Sequence, residues 1–211
     1  MKIGIIQASS QKSKNELIFS CTQNAVRRQG YEVINFGVRK EEKEQYSYIE
    51  TAISVSLLLS SKAVDFIITG CSSGQGMMLA CNSLPGVTCG YTPTPQDAFL
   101  FGRINDGNAV SLPLGLNFGW SGEVNLQCTL DKLFDGPFGT GYPKEDAERK
   151  KHDTELLKGM NHVTKSEWKD IFADMNSDLM KKSLGRKNVC DYIMQYGQDE
   201  AIKGFIKMQI I

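Results

Sequence analysis

The residues best suited to chemistry in this sequence are Gly70-Cys71-Ser72-Ser73-Gly74-Gln75-Gly76. The run follows a short apolar segment, Phe66-Ile67-Ile68-Thr69, and precedes a helical one beginning near Met77. A glycine-rich turn between a buried strand and a helix presents backbone N–H groups outward. Such groups suit a phosphate, a carboxylate or an enediolate. Three familiar uses of this kind of turn are excluded. A P-loop carries a lysine after its last glycine, where this chain has Met77. A dinucleotide-binding fingerprint lies in the first strand-to-helix turn, and here that turn, Gln7–Gln11, holds no glycine. A cysteine-phosphatase loop needs an arginine six residues after the cysteine, which is again Met77. What remains is Cys71 facing a nest of amides that favour its thiolate form. A thiolate there can remove a proton from carbon beside a carbonyl, and the amides can hold the oxyanion that develops. On the turn alone, a tight bend around a small buried thiol explains the residues equally well.

The elements that must position this turn read as alternating strands and helices. Strands are expected at residues 3–6, 31–37, 66–69, 86–90 and 109–112, with helices near 14–29, 49–61, 77–83 and 95–101. In the first helix, Leu17, Cys21, Asn24 and Arg28 share one side at helical spacing. The pattern predicts an α/β, three-layer Rossmann-like parallel sheet with helices on both faces. Ligands of such sheets sit beyond the carboxyl ends of the strands, which directs attention to Gln7–Gln11, Gly70–Gly76, Tyr91–Thr94 and Asn105–Asn108. From Pro137 onward the chain changes character. Residues 1–136 form the α/β unit, and 137–211 a charged helical extension packed on the core or on a partner subunit. Thr164 and Glu167 have capping-box spacing. Trp120 and Trp168 read as core or interface residues, and Arg149-Lys150-Lys151-His152 as a solvated helix face.

The chain has 211 residues, 24 basic and 24 acidic side chains, and 41% hydrophobic content. A formal net charge of zero speaks against a nucleic-acid partner. No apolar run reaches membrane-spanning length, so a cytoplasmic protein is expected. The six cysteines include no C-x-x-C pair and there are only two histidines, poor material for a zinc cage. No metal and no cofactor are expected.

Phe66 to Gly90, FIITGCSSGQGMMLACNSLPGVTCG, resembles the segment that RpiB-type ribose-5-phosphate isomerases of the LacAB/RpiB family write as I-L-I-C-G-T-G-x-G-x-x-x-x-A-N-K-x-x-G-I-R. Gly30-Tyr31-Glu32-Val33-Ile34-Asn35-Phe36-Gly37 is similar to the family's G-Y-E-V-x-D-x-G, and Asn105-Asp106-Gly107-Asn108 falls where it has H-N-D-x-N. The likeness runs from residue 1 to about 135. It implies aldose–ketose isomerisation through a cis-enediol, without metal or nucleotide, in a homodimer with a shared active site. Cys71 matches the proton-abstracting cysteine and Ser73 the threonine that supports it. Gly74, Gln75 and Gly76, with Ser72 beside them, match the amide nest, Asn105 a sugar-contacting asparagine, and Tyr46 falls near a substrate-facing tyrosine.

The chain also departs from that pattern. Ala8-Ser9 stand where the family has Asp-His, leaving Ser9 at the substrate. Ile104 replaces the histidine before Asn-Asp, and Leu112–Leu116 lack the family's arginine. The enediol machinery is kept while the groups that handle ring oxygen and phosphate are replaced, with Arg103 or the Arg149–His152 run as substitutes. The implied substrate is a sugar or sugar phosphate other than ribose 5-phosphate. Two further functions fit the residues: a non-catalytic sugar-binding or regulatory protein, and acyl transfer through a nucleophilic Cys71. The last lacks a histidine partner inside the α/β unit.

Overall fold

The structure, a computed structural model, describes residues 1–116 and 118–210. Ile211, the last residue of the expected extension, lies outside the described residues. Strands β1 (Lys2–Ile5), β2 (Glu32–Asn35), β3 (Phe66–Cys71), β4 (Cys89–Tyr91) and β5 (Ala109–Pro113) form one parallel sheet in the order β2-β1-β3-β5-β4. All six residues of the central β3 are buried, as its unbroken apolar run requires of a strand covered on both faces. At the β4 edge the Asn82 side chain accepts from Cys89 N at 2.9 Å and donates to its carbonyl at 2.8 Å.

Helices α1 (Asn15–Ala25), α4 (Pro95–Leu100) and α5 (Gly122–Leu133) cover one face, packing Ile18, Ala98, Leu126 and Leu130 on Ile5, Ile68 and Val110. Helices α2 (Tyr48–Ser60) and α3 (Gln75–Asn82) cover the other. The residues from Glu50 to Leu59 of α2 are all buried. A helix apolar on every side needs cover on every side, and the extension supplies it. Its helices are α6 (Ala147–Thr164), α7 (Trp168–Asp174), α8 (Ser177–Leu184), α9 (Lys187–Tyr196) and α10 (Glu200–Ile210). Trp168, Met180, Leu184, Val189, Ile193, Ile202 and Ile206 share one cluster with Ile53, Leu57 and Leu58 of α2. Each such side chain buried contributes about 1.5–3 kcal/mol. Trp168 Nε1 also donates to Ser56 Oγ at 3.2 Å. Among the described residues, no helix is long and apolar enough to cross a membrane.

Several expectations are corrected. Helix α1 ends at Ala25, and its buried side is Asn15, Ile18, Cys21 and Thr22, while Asn24 and Arg28 are exposed. The helix is rotated so that Ile18, rather than Leu17, faces the sheet. Thr164 caps nothing: it ends α6, and its hydroxyl bonds back to Met160 O at 2.8 Å. The capping box is instead Ser47 with Glu50, at the start of α2. Trp168 is core, but Trp120 is 98% exposed and lies outside it. Helix α5 was not foreseen, because its sequence, GEVNLQCTLDKL, is largely polar.

Candidate active site

Strand β3 delivers Cys71 to the carboxyl edge of the sheet, where it pairs with Pro113 of β5. The chain leaving β5 staples the next turn in place. Leu114 N donates to Cys71 O at 3.0 Å, and Gly115 N and Leu116 N donate to Ser72 O at 3.0 and 2.7 Å. Gly74 closes the turn at φ +77°, and a Cβ there would lie 2.8 Å from the Tyr91 ring and 2.9 Å from the Leu112 carbonyl carbon. Only glycine fits this backbone and this space. So held, Gly74 N donates to Cys71 Sγ at 3.2 Å, and Ser111 Oγ donates to Gly74 O at 2.6 Å. Helix α3 starts at Gln75, so its unpaired first-turn N–H groups, Gln75 and Gly76 among them, open at the same edge. An anion formed beside this sulfur meets the amide dipoles of the turn. Ser73 is half-buried, with no side-chain hydrogen bond among the described residues.

Beside this turn stands a second group, built on the end of β1. Tyr46 N donates to Ser9 Oγ at 2.7 Å and Ser9 N to Tyr46 O at 3.0 Å, a two-way clasp in which both residues are buried. Beneath it lies a chain of amides, buried at Gln7 and Asn15 and half-buried at Asn35. Gln7 Nε2 donates to Val38 O at 2.7 Å, Asn15 Nδ2 to Gln7 Oε1 at 2.9 Å, and Asn35 Nδ2 to Asn15 Oδ1 at 2.8 Å. A short 3₁₀ turn, Ser9–Lys14, ties the two groups together, with Gln11 Nε2 donating to Ser72 Oγ at 2.9 Å. Burial pushes the Tyr46 phenol up, against the pull of the Arg186 guanidinium behind its ring. The structure therefore gathers Ser9, Tyr46, Cys71, Ser72, Ser73, Gly74, Gln75 and Gly76 at one edge of the sheet.

The Ribose/Galactose Isomerase family model matches residues 3–123 of this sequence. The chain belongs to that family. The isomerase chain is also similar throughout its length to two crystal structures. One is a 4-deoxy-L-threo-5-hexosulose-uronate ketol-isomerase complexed with a tartrate, at 36% identity and TM-score 0.95 over 100% of this chain and 99% of that one. The other is the ribose-5-phosphate isomerase LacAB_rpiB from Vibrio parahaemolyticus, at 35% identity and TM-score 0.93 over 99% of each. A type B ribose 5-phosphate isomerase from Trypanosoma cruzi, at 19% identity and TM-score 0.64 over 77% of this chain and 99% of that one, shares the fold. No curated protein matches.

Two expected site residues of the isomerase lie elsewhere. Arg103 and Asn105 belong to a π turn, Phe101–Asn105, that leads into the amino end of β5. Asn105–Asn108 thus lie at the wrong end of the sheet for Cys71, whose partner Pro113 is five residues beyond Asn108, about 16 Å along the strand at ~3.3 Å per residue. Arg103 is buried, donates to Leu133 O at 3.0 Å and has Phe138 5.4 Å from its guanidinium carbon. Its charge serves the packing of α5, which corrects the expectation that it meets substrate. Asn105 instead lines an open cleft of about 520 Å³ with Asn82, Tyr91, Asp97 and Asn161. The Arg149–His152 run is a solvated face: Arg149 pairs with Asp146 at 3.1 Å and Asp153 at 3.2 Å, and Lys151 with Glu148 at 2.7 Å. Sequence reasoning marked the turns that hold Gln11 and Tyr91 without giving either residue a role, and it missed Arg186. Gln11 lies inside the first strand-to-helix turn and was open to it, whereas no pattern marks Arg186.

Proposed function

We propose that this isomerase interconverts an aldose and a ketose through a cis-enediol, with Cys71 as the general base. The Cys71 thiolate takes the proton from the carbon beside the carbonyl. The C–H electron pair becomes the C=C bond, and the carbonyl oxygen becomes an oxyanion facing the amides of Gly74, Gln75 and Gly76. The Cys71 thiol then returns its proton to the former carbonyl carbon while the hydroxyl proton passes between the two oxygens. Ser9, Tyr46, Ser72 and Ser73 face the sugar, the Ser73 hydroxyl being free to turn to it. No metal or nucleotide takes part. The observation that carries this reading is the Gly74 N–H on Cys71 Sγ at 3.2 Å, in a turn that opens a helix.

The substrate class follows from what the chain lacks. With Ala8, Ser9 and Ile104 in place of the family's Asp-His and second histidine, the acid–base pair for opening a sugar ring is missing. A 4-deoxy-5-keto hexuronate has no hydroxyl at C4 or C5 with which to close the usual five- or six-membered ring, and needs no such pair. We therefore favour an open-chain keto-uronate over ribose 5-phosphate. We also propose a cytosolic homodimer in which Asn105 serves the neighbouring copy's site and the exposed Trp120 is covered. The test is deuterium incorporation from heavy water into 4-deoxy-L-threo-5-hexosulose uronate and into ribose 5-phosphate, read by mass spectrometry. The uronate exchanges and Cys71→Ala slows it by about 10²–10⁴-fold. Exchange at the wild-type rate in Cys71→Ala refutes the mechanism. Ribose 5-phosphate turning over at about 10⁴ M⁻¹s⁻¹ or faster refutes the substrate preference.

A further inference from the structure

The turn between α8 and α9 carries a cation that this mechanism does not use. Arg186 is 2% exposed, and burial brings its guanidinium down to about 10. A buried charge ordinarily has a carboxylate partner, because leaving it alone in the interior is costly. Arg186 has none within ion-pair distance among the described residues. Its Nη2 donates to Phe36 O at 3.3 Å, its Nη1 to Thr51 Oγ1 at 3.5 Å, and its central carbon stands 4.5 Å from the Tyr46 ring. The nearby acids are engaged by other cations. Glu50 accepts from Ser47 N and pairs with Lys182 at 3.0 Å. Glu42 accepts from Arg39 N at 2.8 Å and lies 3.7 Å from its guanidinium. Glu44 is exposed.

A second surplus cation borders the same loop. Lys12 is half-buried on the 3₁₀ turn that begins at Ser9, a turn bearing two lysines and no acid. Its Nζ donates to the Glu42 carbonyl at 3.2 Å, and it too has no carboxylate partner among the described residues. Positive charge is thus left over on both sides of the loop that carries Tyr46, and the Ser9–Tyr46 clasp lies between.

We infer that Arg186 and Lys12 are the counter-charge for an acidic group of the substrate, a carboxylate or a phosphate, seated over the Ser9–Tyr46 clasp. Lys12 reaches the anion from the rim. Arg186 is a positioning residue that acts through the Tyr46 ring. The extension then completes the site instead of merely shielding α2. This inference rests on reading this edge as the isomerase's substrate site, and it replaces the arginine missing after β5 with one that arrives from the far end of the chain.

The experiment is calorimetric titration of the full-length protein with tartrate and, separately, with inorganic phosphate, at low and high salt. Wild type binds at least one of them, more weakly as salt rises; the one preferred tells carboxylate from phosphate. Lys12→Met and Arg186→Met each weaken that binding by about tenfold, the scale of losing one partly buried charge, and flatten its salt dependence. Arg186→Lys retains most of it, which a purely structural role would not predict. No binding by wild type, or wild-type affinity in either methionine variant, overturns the proposal. Should Arg186→Met fail to fold, Lys12→Met and Arg186→Lys decide the matter, because unchanged affinity in Lys12→Met overturns it alone. Anion binding lost in the variants without isotope exchange in wild type would uphold this site and sink the isomerase mechanism. Exchange with unchanged anion binding would do the reverse.

Discussion

Gly74→Ala tests whether the turn, and not merely the thiol, makes the site. Two costs add. An alanine held at φ +77° loses about 1–2 kcal/mol to the left-handed conformation. Its Cβ would also stand 2.9 Å from the Leu112 carbonyl carbon and 2.8 Å from the Tyr91 ring. The ring can swing, but the strand backbone cannot, and overpacking of this kind costs about 1–3 kcal/mol. The variant should lose roughly 2–5 kcal/mol, a large share of the ~5–15 kcal/mol that holds an ordinary domain. The turn relieves the clash by moving the Gly74 amide off the sulfur, and a displacement of that order costs about 10²-fold in rate. Urea denaturation at 25 °C followed by circular dichroism reads the first effect, and the deuterium-incorporation rate reads the second. Gly159→Ala is the control, since a Cβ there meets nothing within 4 Å and α6 gains up to about 1 kcal/mol. A Gly74→Ala protein within about 0.5 kcal/mol of wild type, or one with undiminished exchange, would refute the reasoning.

Two more outcomes follow from the packing. Burial pushes the Glu50 carboxyl up, but hydrogen bonds from Ser47 and the Lys182 ammonium outweigh it and hold the group below the usual carboxylate range. A depressed carboxylate stabilises the fold above its unfolded pKa, so wild type should exceed Glu50→Gln in urea resistance at pH 7. That margin should shrink as the pH falls below about 4.3, and a margin that widens on acidification contradicts it. Trp120→Glu should shift the sedimentation equilibrium toward monomer without altering the melting temperature of the subunit, because the ring is 98% exposed in a single chain. An unchanged dimer population would remove Trp120 from the interface.

Much of the site was legible because strand, turn and helix are consecutive in sequence. The run from Phe66 to Met77 states its own geometry: an apolar strand, a glycine that must turn left, and a helix start. Facing is harder to read than order. Arg103 and Asn105 adjoin a turn, but a turn that precedes β5 lies at the opposite end of the sheet from one that follows β3. Helix phase was missed in α1 because Leu17 and Ile18 are both apolar, and only the sheet decides between them. Ser47-x-x-Glu50 and Thr164-x-x-Glu167 share the same spacing; the first caps because Ser47 is extended, while Thr164 is itself the last residue of α6. Arg186 was beyond reach, since its contacts span 135 residues to Thr51 and 150 to Phe36.

Asn82 stands beside β4, at the edge of the sheet. By giving and taking one hydrogen bond at Cys89, its side chain impersonates one rung of a missing neighbour strand. A polymerising edge needs successive free rungs, and this edge has one occupied from within. Two copies that brought their β4 edges together would therefore find this rung taken. A single sheet running through both would first have to evict that asparagine.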